Sequence, residues 1–210
     1  MSELVSVVTA TWGRPNALLN HCIPSVLRQS HRPVEHLIVT DGFDPDLRDV
    51  LIATGYTADG TETADDGIYR RLVMLGRNWT SKISDPGIGS VPRAVGAWMA
   101  AGEFICYFDD DNDFRADHIE KLLGVIRNQG VDIALCPWAD HPNPASCVAD
   151  TNTFLHRADV LKYGTWPLSP YNADYCLVRS WTDDHHVPWG FHEEQTVVLN
   201  RLNGGRGARE

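Results

Sequence analysis

Short apolar, β-branched segments alternate with segments that repeat apolar residues at helical spacing, and this alternation limits the fold more than any other feature. The strand-like segments cover residues 4–9, 36–40, 72–75, 104–108 and 131–136. The helical segments cover residues 17–29, 45–53, 90–101 and 115–128. Strands that alternate with helices form a mainly parallel sheet covered on both faces. The sequence therefore predicts an α/β fold, with a mixed, mainly parallel sheet flanked by helices and with a polar surface loop over residues 54–69.

The chain has 210 residues, with 18 Lys and Arg against 28 Asp and Glu, so its formal net charge is −10. This length predicts a single domain. The acidic balance argues against a nucleic-acid partner, and no segment approaches the ~20 apolar residues that a membrane span requires. Five cysteines without a C-x-x-C pair predict reduced thiols, no structural zinc site and a cytoplasmic location.

Polar side chains follow three of the predicted strands at the point where each strand ends. Thr9 and Thr11 end the first, Asp41 follows the second, and Asp109–Asp113 follow the fourth. Mainly parallel sheets bind ligands at the carboxyl ends of their strands. The sequence therefore predicts a binding site at this edge of the sheet.

The acidic run after residue 108 permits three interpretations, because carboxylates this close repel one another unless a cation or a proton holds them together. It is a solvated turn, a calcium loop, or a divalent-metal site for a nucleoside diphosphate in which Asp109 and Asp111 form a D-x-D pair. A calcium loop would need glycine at its sixth position, where this chain has Phe114, and a helix before it. We favour the divalent-metal site, since hard carboxylate oxygens suit Mg²⁺ or Mn²⁺.

Three parts of the sequence, taken together, resemble GT-A glycosyltransferases of family two. They are residues 5–14 (VSVVTATWGR), residues 37–42 (LIVTDG), and residues 93–96 (RAVG) leading to residues 101–111 (AGEFICYFDDD). Their order and spacing match over about residues 4–113, and more loosely to about residue 182. The resemblance implies a GT-A fold and a metal-dependent, inverting transfer of a sugar from a nucleoside-diphosphate sugar, with UDP favoured, to an acceptor hydroxyl.

The resemblance also implies which residues bind the donor and its metal. Nucleotide-sugar contacts are implied for Thr9, Thr11, Arg14, Asp41, Arg93, Asp109 and Asp110. Asp109 and Asp111 are the expected ligands of Mn²⁺ or Mg²⁺, with Asp111 the direct one. A further ligand is expected from His192, with His185 and His186 as alternatives.

The family also has an aspartate, often preceded by glutamate, at the start of a helix that faces the acceptor. Asp174 fits this position, although Ala173 stands where the glutamate is usual. We predict that Asp174 is the general base that removes the proton of the acceptor hydroxyl. Asp183 and Asp184 are nearby alternatives.

By this resemblance, residues 1–210 form a single glycosyltransferase domain, with a nucleotide-sugar half over about 1–113 and an acceptor half over about 114–210. The expected partners are the donor, a small-molecule or glycan acceptor and, in a homo-oligomer, a second copy of the chain. Two other function classes stay open. One is a non-catalytic calcium- or carbohydrate-binding module, and the other is a metal-dependent nucleotidyltransferase, whose usual glycine-rich, lysine-bearing first loop this chain lacks.

Overall fold

A computed structural model describes residues 3–60, 65–79, 89–138, 149–168 and 172–198. The strands are β1 (Val5–Thr11), β2 (Val34–Thr40), β3 (Ile68–Met74), β4 (Phe104–Tyr107), β5 (Asp113–Phe114), β6 (Ile133–Leu135), β7 (Phe154–Arg157), β8 (Trp189–Phe191) and β9 (Val197–Val198). The α-helices are α1 (Pro15–Ala17), α2 (Ile23–Leu27), α3 (Pro45–Ala53), α4 (Ser90–Met99), α5 (His118–Gln129) and α6 (Ala173–Arg179). Two 3₁₀ segments lie at Thr151–Thr153 and Ala158–Tyr163, and two π-helical turns at Leu18–Cys22 and Ser180–Asp184.

Seven of the strands form one sheet in the order β3-β2-β1-β4-β7-β6-β8. The strand pairings make six of them parallel to one another, and β7 runs in the opposite direction. The predicted mixed, mainly parallel sheet is therefore confirmed. From β1, the chain extends the sheet to one side through β2 and β3 and then returns to the other side with β4. The carboxyl ends of the strands at such a switch point are where α/β sheets bind ligands.

Helices cover both faces of this sheet, because the central strands are apolar on both sides. Val7 and Cys106 belong to one buried cluster, which includes residues of α3 and α5. Val8 and Tyr107 belong to a second buried cluster on the opposite face, which includes residues of α4 and α6. None of the helices within the described ranges is long and apolar enough to cross a membrane.

The helix predicted over residues 17–29 is divided into short pieces. It begins earlier, at Pro15, passes through the π-helical turn, and resumes as α2. Pro24 is the second residue of α2, directly after the π-helical turn, and it has no N–H to donate to that turn. The wider turn before it therefore allows the helix to continue past a residue that would otherwise break it.

The third strand begins at Ile68, so the predicted loop over residues 54–69 is wrong at its end. The start of β3 is polar because this strand lies at the edge of the sheet, where charged residues are common. Arg71 uses its Nη1 there to contact Glu35 Oε1 at 3.3 Å and the carbonyl oxygen of Met99 at 2.7 Å. Tyr56, within the same predicted loop, is buried.

Two helical glycines differ in what a side chain would meet. A Cβ at Gly96 in α4 would lie 2.4 Å from Val8 Cγ1, whereas a Cβ at Gly124 in α5 would meet no atom within 4 Å. We expect Gly96→Ala to lower the free energy of unfolding by about 1–3 kcal/mol through overpacking. Gly124→Ala is expected to raise it by about 0.5–1 kcal/mol, because alanine favours the helix.

Urea denaturation of the two variants beside the wild type measures both changes. Each variant is the other's control, since both add one methyl group within a helix. A Gly96→Ala variant at least as stable as the wild type would contradict the close packing of α4 on β1.

Candidate functional site

The acidic residues after β4 lie at the switch point between β1 and β4. Thr11 is the last residue of β1, and its hydroxyl donates to Asp110 Oδ2 at 2.7 Å. Arg14 lies between two carboxylates, with Nη2 2.5 Å from Asp110 Oδ1 and Nη1 donating to Asp111 Oδ2 at 2.5 Å. The structure thus brings together two predicted donor-binding residues and the acidic run, although 97–99 residues separate them in sequence.

Asp110 is the buried aspartate of the acidic run. Its side chain is fully buried, with one oxygen bonded to Thr11 and the other in an ion pair with Arg14 that lacks hydrogen-bond geometry. Burial raises the pKa of Asp110 to about 7, and the carboxylates of Asp111 and Asp109 add to this effect, whereas Arg14 and Thr11 oppose it. Its side chain has no exposed surface to offer a ligand, and the expected contact of Asp110 with the nucleotide sugar stays a prediction.

Asp109 faces the second half of the chain. Arg93 Nη2 donates to Asp109 Oδ1 at 2.5 Å, and Asn152 Nδ2 donates to Asp109 Oδ2 at 2.8 Å. The backbone N–H of Asp109 in turn donates to Asn152 Oδ1 at 2.7 Å. The guanidinium of Arg93 also lies over the ring of Trp166, 5.1 Å from its centroid. These contacts hold the charge of Arg93 against Asp109.

The chemistry of Asp109 and Asp111 is compatible with a divalent cation. Both side chains are 22% exposed, and their oxygens are the hard ligands that Mg²⁺ and Mn²⁺ prefer. Burial and the charge of Asp109 raise the pKa of Asp111, so a cation beside it would favour its ionised form. Within the described ranges, no group of three or more His, Cys, Asp and Glu residues is arranged to hold a metal.

The predicted histidine ligands are not brought to these carboxylates. His192 follows β8 at the far edge of the sheet, and its Nδ1 accepts a hydrogen bond from the Glu194 N–H at 3.0 Å. His185 and His186 are exposed, and the ring of His185 stacks on Tyr163 with centroids 5.1 Å apart. No contact in the described part of the chain joins any of the three to Asp109 or Asp111.

Asp174 lies in the first turn of α6 and is half-buried. Its Oδ2 accepts hydrogen bonds from the Thr151 N–H at 2.9 Å and the Thr151 hydroxyl at 3.1 Å, and its Oδ1 accepts one from the Tyr175 N–H at 2.8 Å. Burial raises the pKa of Asp174 and the charge of Asp109 adds to this, although Arg93 and the hydrogen bonds oppose it. A fixed carboxylate with a raised pKa is suited to accept a proton.

The two alternatives to Asp174 lie on the surface. Asp183 accepts a hydrogen bond from Arg179 Nε at 2.8 Å, and both side chains are exposed. Asp184 is exposed as well, in the π-helical turn after α6. Neither shows the burial or the link to Asp109 that distinguishes Asp174.

A cavity of about 420 Å³ opens beside the carboxyl ends of β1 and β2. Its walls include Trp12, Thr40, Phe43, Asp44, Arg77 and Asn78. Trp12 and Phe43 expose aromatic surface there, on which a planar base can stack. The cavity lies next to the acidic cluster, because Thr11 lines it and also bonds to Asp110.

Two residues predicted to bind the nucleotide face the interior instead. Thr9 is fully buried, with its hydroxyl 3.1 Å from His36 Nε2 and 3.2 Å from Cys22 Sγ. Asp41 is buried behind the cavity, where its Oδ1 accepts a hydrogen bond from the Trp79 N–H at 2.7 Å. Thr9 therefore does not offer its side chain to a ligand. Asp41 holds the segment that includes Asn78, which lines the cavity.

The sequence did not predict a role for Asp150, Thr151 or Asn152. They begin the 3₁₀ segment before β7, and the antiparallel pairing of β7 with β4 places them beside Asp109. The local signal for a fixed turn is the spacing of Asp150 and Thr153, which form a capping box. No local pattern, however, predicts that this turn meets the acidic run.

No protein-family model matches the chain. Among curated proteins, the glycosyltransferase GlyG of Streptococcus pneumoniae serotype 4 is 23% identical over 137 residues, which are 64% of this chain and 39% of that relative. The chain thus spans about two fifths of the curated relative that it matches.

Solved structures share the fold over nearly the whole chain. Residues 1–349 of S. aureus TarS, in complex with UDP-GlcNAc, match with a TM-score of 0.71 and 15% identity, over 98% of this chain and 60% of that one. The mannosyltransferase PcManGT from Pyrobaculum calidifontis, in complex with GDP-Man and Mn²⁺, matches with a TM-score of 0.76 and 12% identity, over 98% of this chain and 59% of that one. The GT-A fold expected from the sequence is thereby confirmed.

Proposed function

We propose that this protein is a metal-dependent, inverting glycosyltransferase that moves a sugar from a nucleoside-diphosphate sugar to an acceptor hydroxyl. The observation that carries the proposal is the arrangement at the switch point of a GT-A fold. A partly exposed D-x-D pair lies between a cavity of nucleotide size and a half-buried aspartate at the start of a helix. This arrangement has a place for each part of the reaction: the nucleotide, the diphosphate and the acceptor.

Asp109 and Asp111 are the proposed ligands of Mn²⁺ or Mg²⁺. When bound, the metal supplies a Lewis acid that stabilises negative charge on the departing diphosphate. Arg14 pairs with Asp111 and Arg93 pairs with Asp109, so that both carboxylates are oriented before a donor binds. We leave His192 out of the proposed site, because no described contact connects it with the two aspartates.

Asp174 is the proposed general base. Its carboxylate takes the proton of the acceptor hydroxyl while the acceptor oxygen bonds to the anomeric carbon and the bond from that carbon to the diphosphate oxygen breaks. The electron pair of the broken bond leaves with the diphosphate. A single displacement of this kind inverts the configuration of the anomeric carbon.

The donor nucleotide, the acceptor and the cellular setting belong to the same proposal. We propose UDP as the donor nucleotide, which the resemblance favours, and GDP is the alternative, since the two structural neighbours bind UDP-GlcNAc and GDP-Man. A glycan or small-molecule acceptor and a homo-oligomer stay expectations. All four cysteines within the described ranges are free thiols, which supports a reducing, cytoplasmic location.

Thermal unfolding with UDP, GDP, dTDP, CDP and ADP, each with Mn²⁺ and again with EDTA, tests the proposal. A ligand at 100 times its Kd stabilises by about 2.7 kcal/mol, which raises the Tm of a chain this size by roughly 5–10 °C. We expect this shift with UDP and Mn²⁺, and we expect EDTA to abolish it.

Other outcomes, of this experiment and of two parallel ones with Ca²⁺ alone and with nucleoside triphosphates, point elsewhere. A shift with a different nucleotide would change the donor and keep the reaction. Stabilisation by Ca²⁺ alone, without any nucleotide effect, would support a binding module instead. Pyrophosphate release from a nucleoside triphosphate would identify a nucleotidyltransferase.

A further inference from the structure

The turn over residues 150–153, called here the Asp150 turn, connects the two halves of the site. It is closed by its own hydrogen bonds. Asp150 Oδ1 accepts from the Asn152 N–H at 2.9 Å and from Asn152 Nδ2 at 2.7 Å, and Thr153 Oγ1 donates to the carbonyl oxygen of Asp150 at 2.9 Å. All three side chains that begin its 3₁₀ segment, Thr151, Asn152 and Thr153, are buried. The turn is therefore a fixed element and not an adaptable loop.

Asn152 holds the donor side of the site. Its amide makes three hydrogen bonds at once, two with Asp109 and one with Asp150. Asn152 Oδ1 accepts from the backbone N–H of Asp109, and Asn152 Nδ2 donates to the Asp109 carboxylate. Asn152 therefore fixes both the backbone at the start of the acidic run and the direction of the Asp109 side chain.

Thr151, the preceding residue, holds the acceptor side. Its backbone N–H and its hydroxyl both donate to Oδ2 of Asp174, and that oxygen has no other described hydrogen-bond donor. The second oxygen of Asp174 is bonded to the Tyr175 N–H. The carboxylate is thus oriented by one residue of the turn and by its own helix.

We infer that Thr151 and Asn152 are positioning residues that set the location of the base Asp174 relative to the donor-side carboxylate Asp109. The inference rests on the proposed function and adds to it the element that holds its two chemical groups in register. Neighbouring residues on a closed turn cannot move far apart, so the spacing between base and donor site is built into the turn. Catalysis by orientation requires such spacing, and a misplacement of about 1 Å can cost 10²-fold in rate.

Thr151→Val and Thr151→Ser are a matched pair for testing the acceptor side. Valine has the shape of threonine without its hydroxyl, whereas serine keeps the hydroxyl without the methyl group. With UDP-GlcNAc and Mn²⁺ at saturation and UDP release as the measured product, we expect Thr151→Val to lower kcat about tenfold, the effect of one lost orienting hydrogen bond. The KM for the donor is expected to stay within about twofold, because donor binding does not involve this contact.

Thr151→Ser is expected to retain most of the kcat of the wild type. Asn152→Ala is expected to differ from both, lowering kcat and also raising the KM for the donor at least about fivefold, since the ordering of Asp109 is lost. Thermal unfolding of each variant identifies any that is not folded. If Thr151→Val does not fold, Thr151→Ala replaces it as the variant without the hydroxyl.

Equal kcat values for the valine and serine variants would overturn the positioning role of Thr151, whether both match the wild type or both fall. An unchanged donor KM in Asn152→Ala would overturn the role of Asn152. Both results leave the proposed function standing, because the wild type turns over donor in each. A wild type that neither binds a nucleotide nor transfers a sugar overturns the proposed function, and the positioning inference with it.

Discussion

Asp174→Asn is expected to lower kcat for sugar transfer by about 10²–10⁴-fold, the usual effect of removing a general base. The amide has nearly the same shape as the carboxylate, and its oxygen can still accept the hydrogen bonds of Thr151. It cannot take a proton from the acceptor hydroxyl. Donor binding, measured as the nucleotide-dependent rise in Tm, is therefore expected to persist while transfer is lost.

Asp184→Asn is the matched control for this substitution. It makes the same chemical change at an exposed residue only ten positions later in sequence, and we expect kcat to be unchanged. Loss of activity in Asp184→Asn together with normal turnover in Asp174→Asn would show that the base has been assigned to the wrong aspartate.

The pH dependence of the wild type gives a second check on Asp174. The base works only when ionised, and burial raises its pKa above the ordinary aspartate value. As the pH falls, kcat/KM is therefore expected to decline at a higher pH than an exposed carboxylate would give, and to be constant above that range. With Mn²⁺ at saturation, which favours the ionised form of Asp111, this acid limb is expected to disappear from the residual rate of Asp174→Asn.

The parts of the site that could be predicted are those that follow from strand ends. The carboxyl ends of parallel strands meet at one edge of a sheet, so Thr11 and the acidic run were expected near each other, and they are in contact through Asp110. The helix that begins at Pro45 could also be predicted, because its signal is local: Asp44 caps it and accepts a hydrogen bond from the Leu47 N–H at 3.0 Å.

Thr9 shows where the sequence held more information than the resemblance used. Side chains alternate between the two faces of a strand, and Thr9 shares the face of Val5 and Val7, which are fully buried. This alternation predicts an interior hydroxyl, whereas Thr11 reaches the site only because the strand ends there. Thr11 lies on the same face of β1 as Thr9, so distance from the end of the strand, rather than alternation, separates the two threonines.

Asp41 and the Asp150 turn could not have been placed from the sequence. Asp41 is bonded to the backbone of Trp79, 38 residues further on, and this contact depends on how the segment after β3 returns to the sheet. The Asp150 turn meets Asp109 only because β7 pairs antiparallel with β4, against the direction of the other strands. Neither contact leaves a periodic or compositional pattern in the chain.

Asp111→Asn is expected to separate the function of the acidic run from the stability of the fold. Loss of a residue that only hydrogen-bonds to a metal ligand weakens metal binding roughly 10–100-fold. Loss of the ligand Asp111 itself should therefore weaken the metal-dependent binding of the donor nucleotide by more than this. The free protein is expected to be at least as stable as the wild type, because burial and the charge of Asp109 already disfavour the ionised form of Asp111. Nucleotide titrations with Mn²⁺ and urea denaturation without it measure the two effects.

Asp117→Asn provides the opposite case with the same chemical change. Asp117 lies at the start of α5, where it pairs with Lys121 Nζ at 3.0 Å and Arg115 Nε at 3.2 Å. Loss of these exposed ion pairs should cost up to about 1 kcal/mol of stability and leave nucleotide binding intact. If Asp111→Asn instead destabilised the fold and still bound the nucleotide with Mn²⁺, the acidic run would be a structural ion-pair network held by Arg14. In a metal site, by contrast, the carboxylates of the acidic run repel one another in the metal-free protein. Their negative charges are retained because they are needed to bind the metal and the donor.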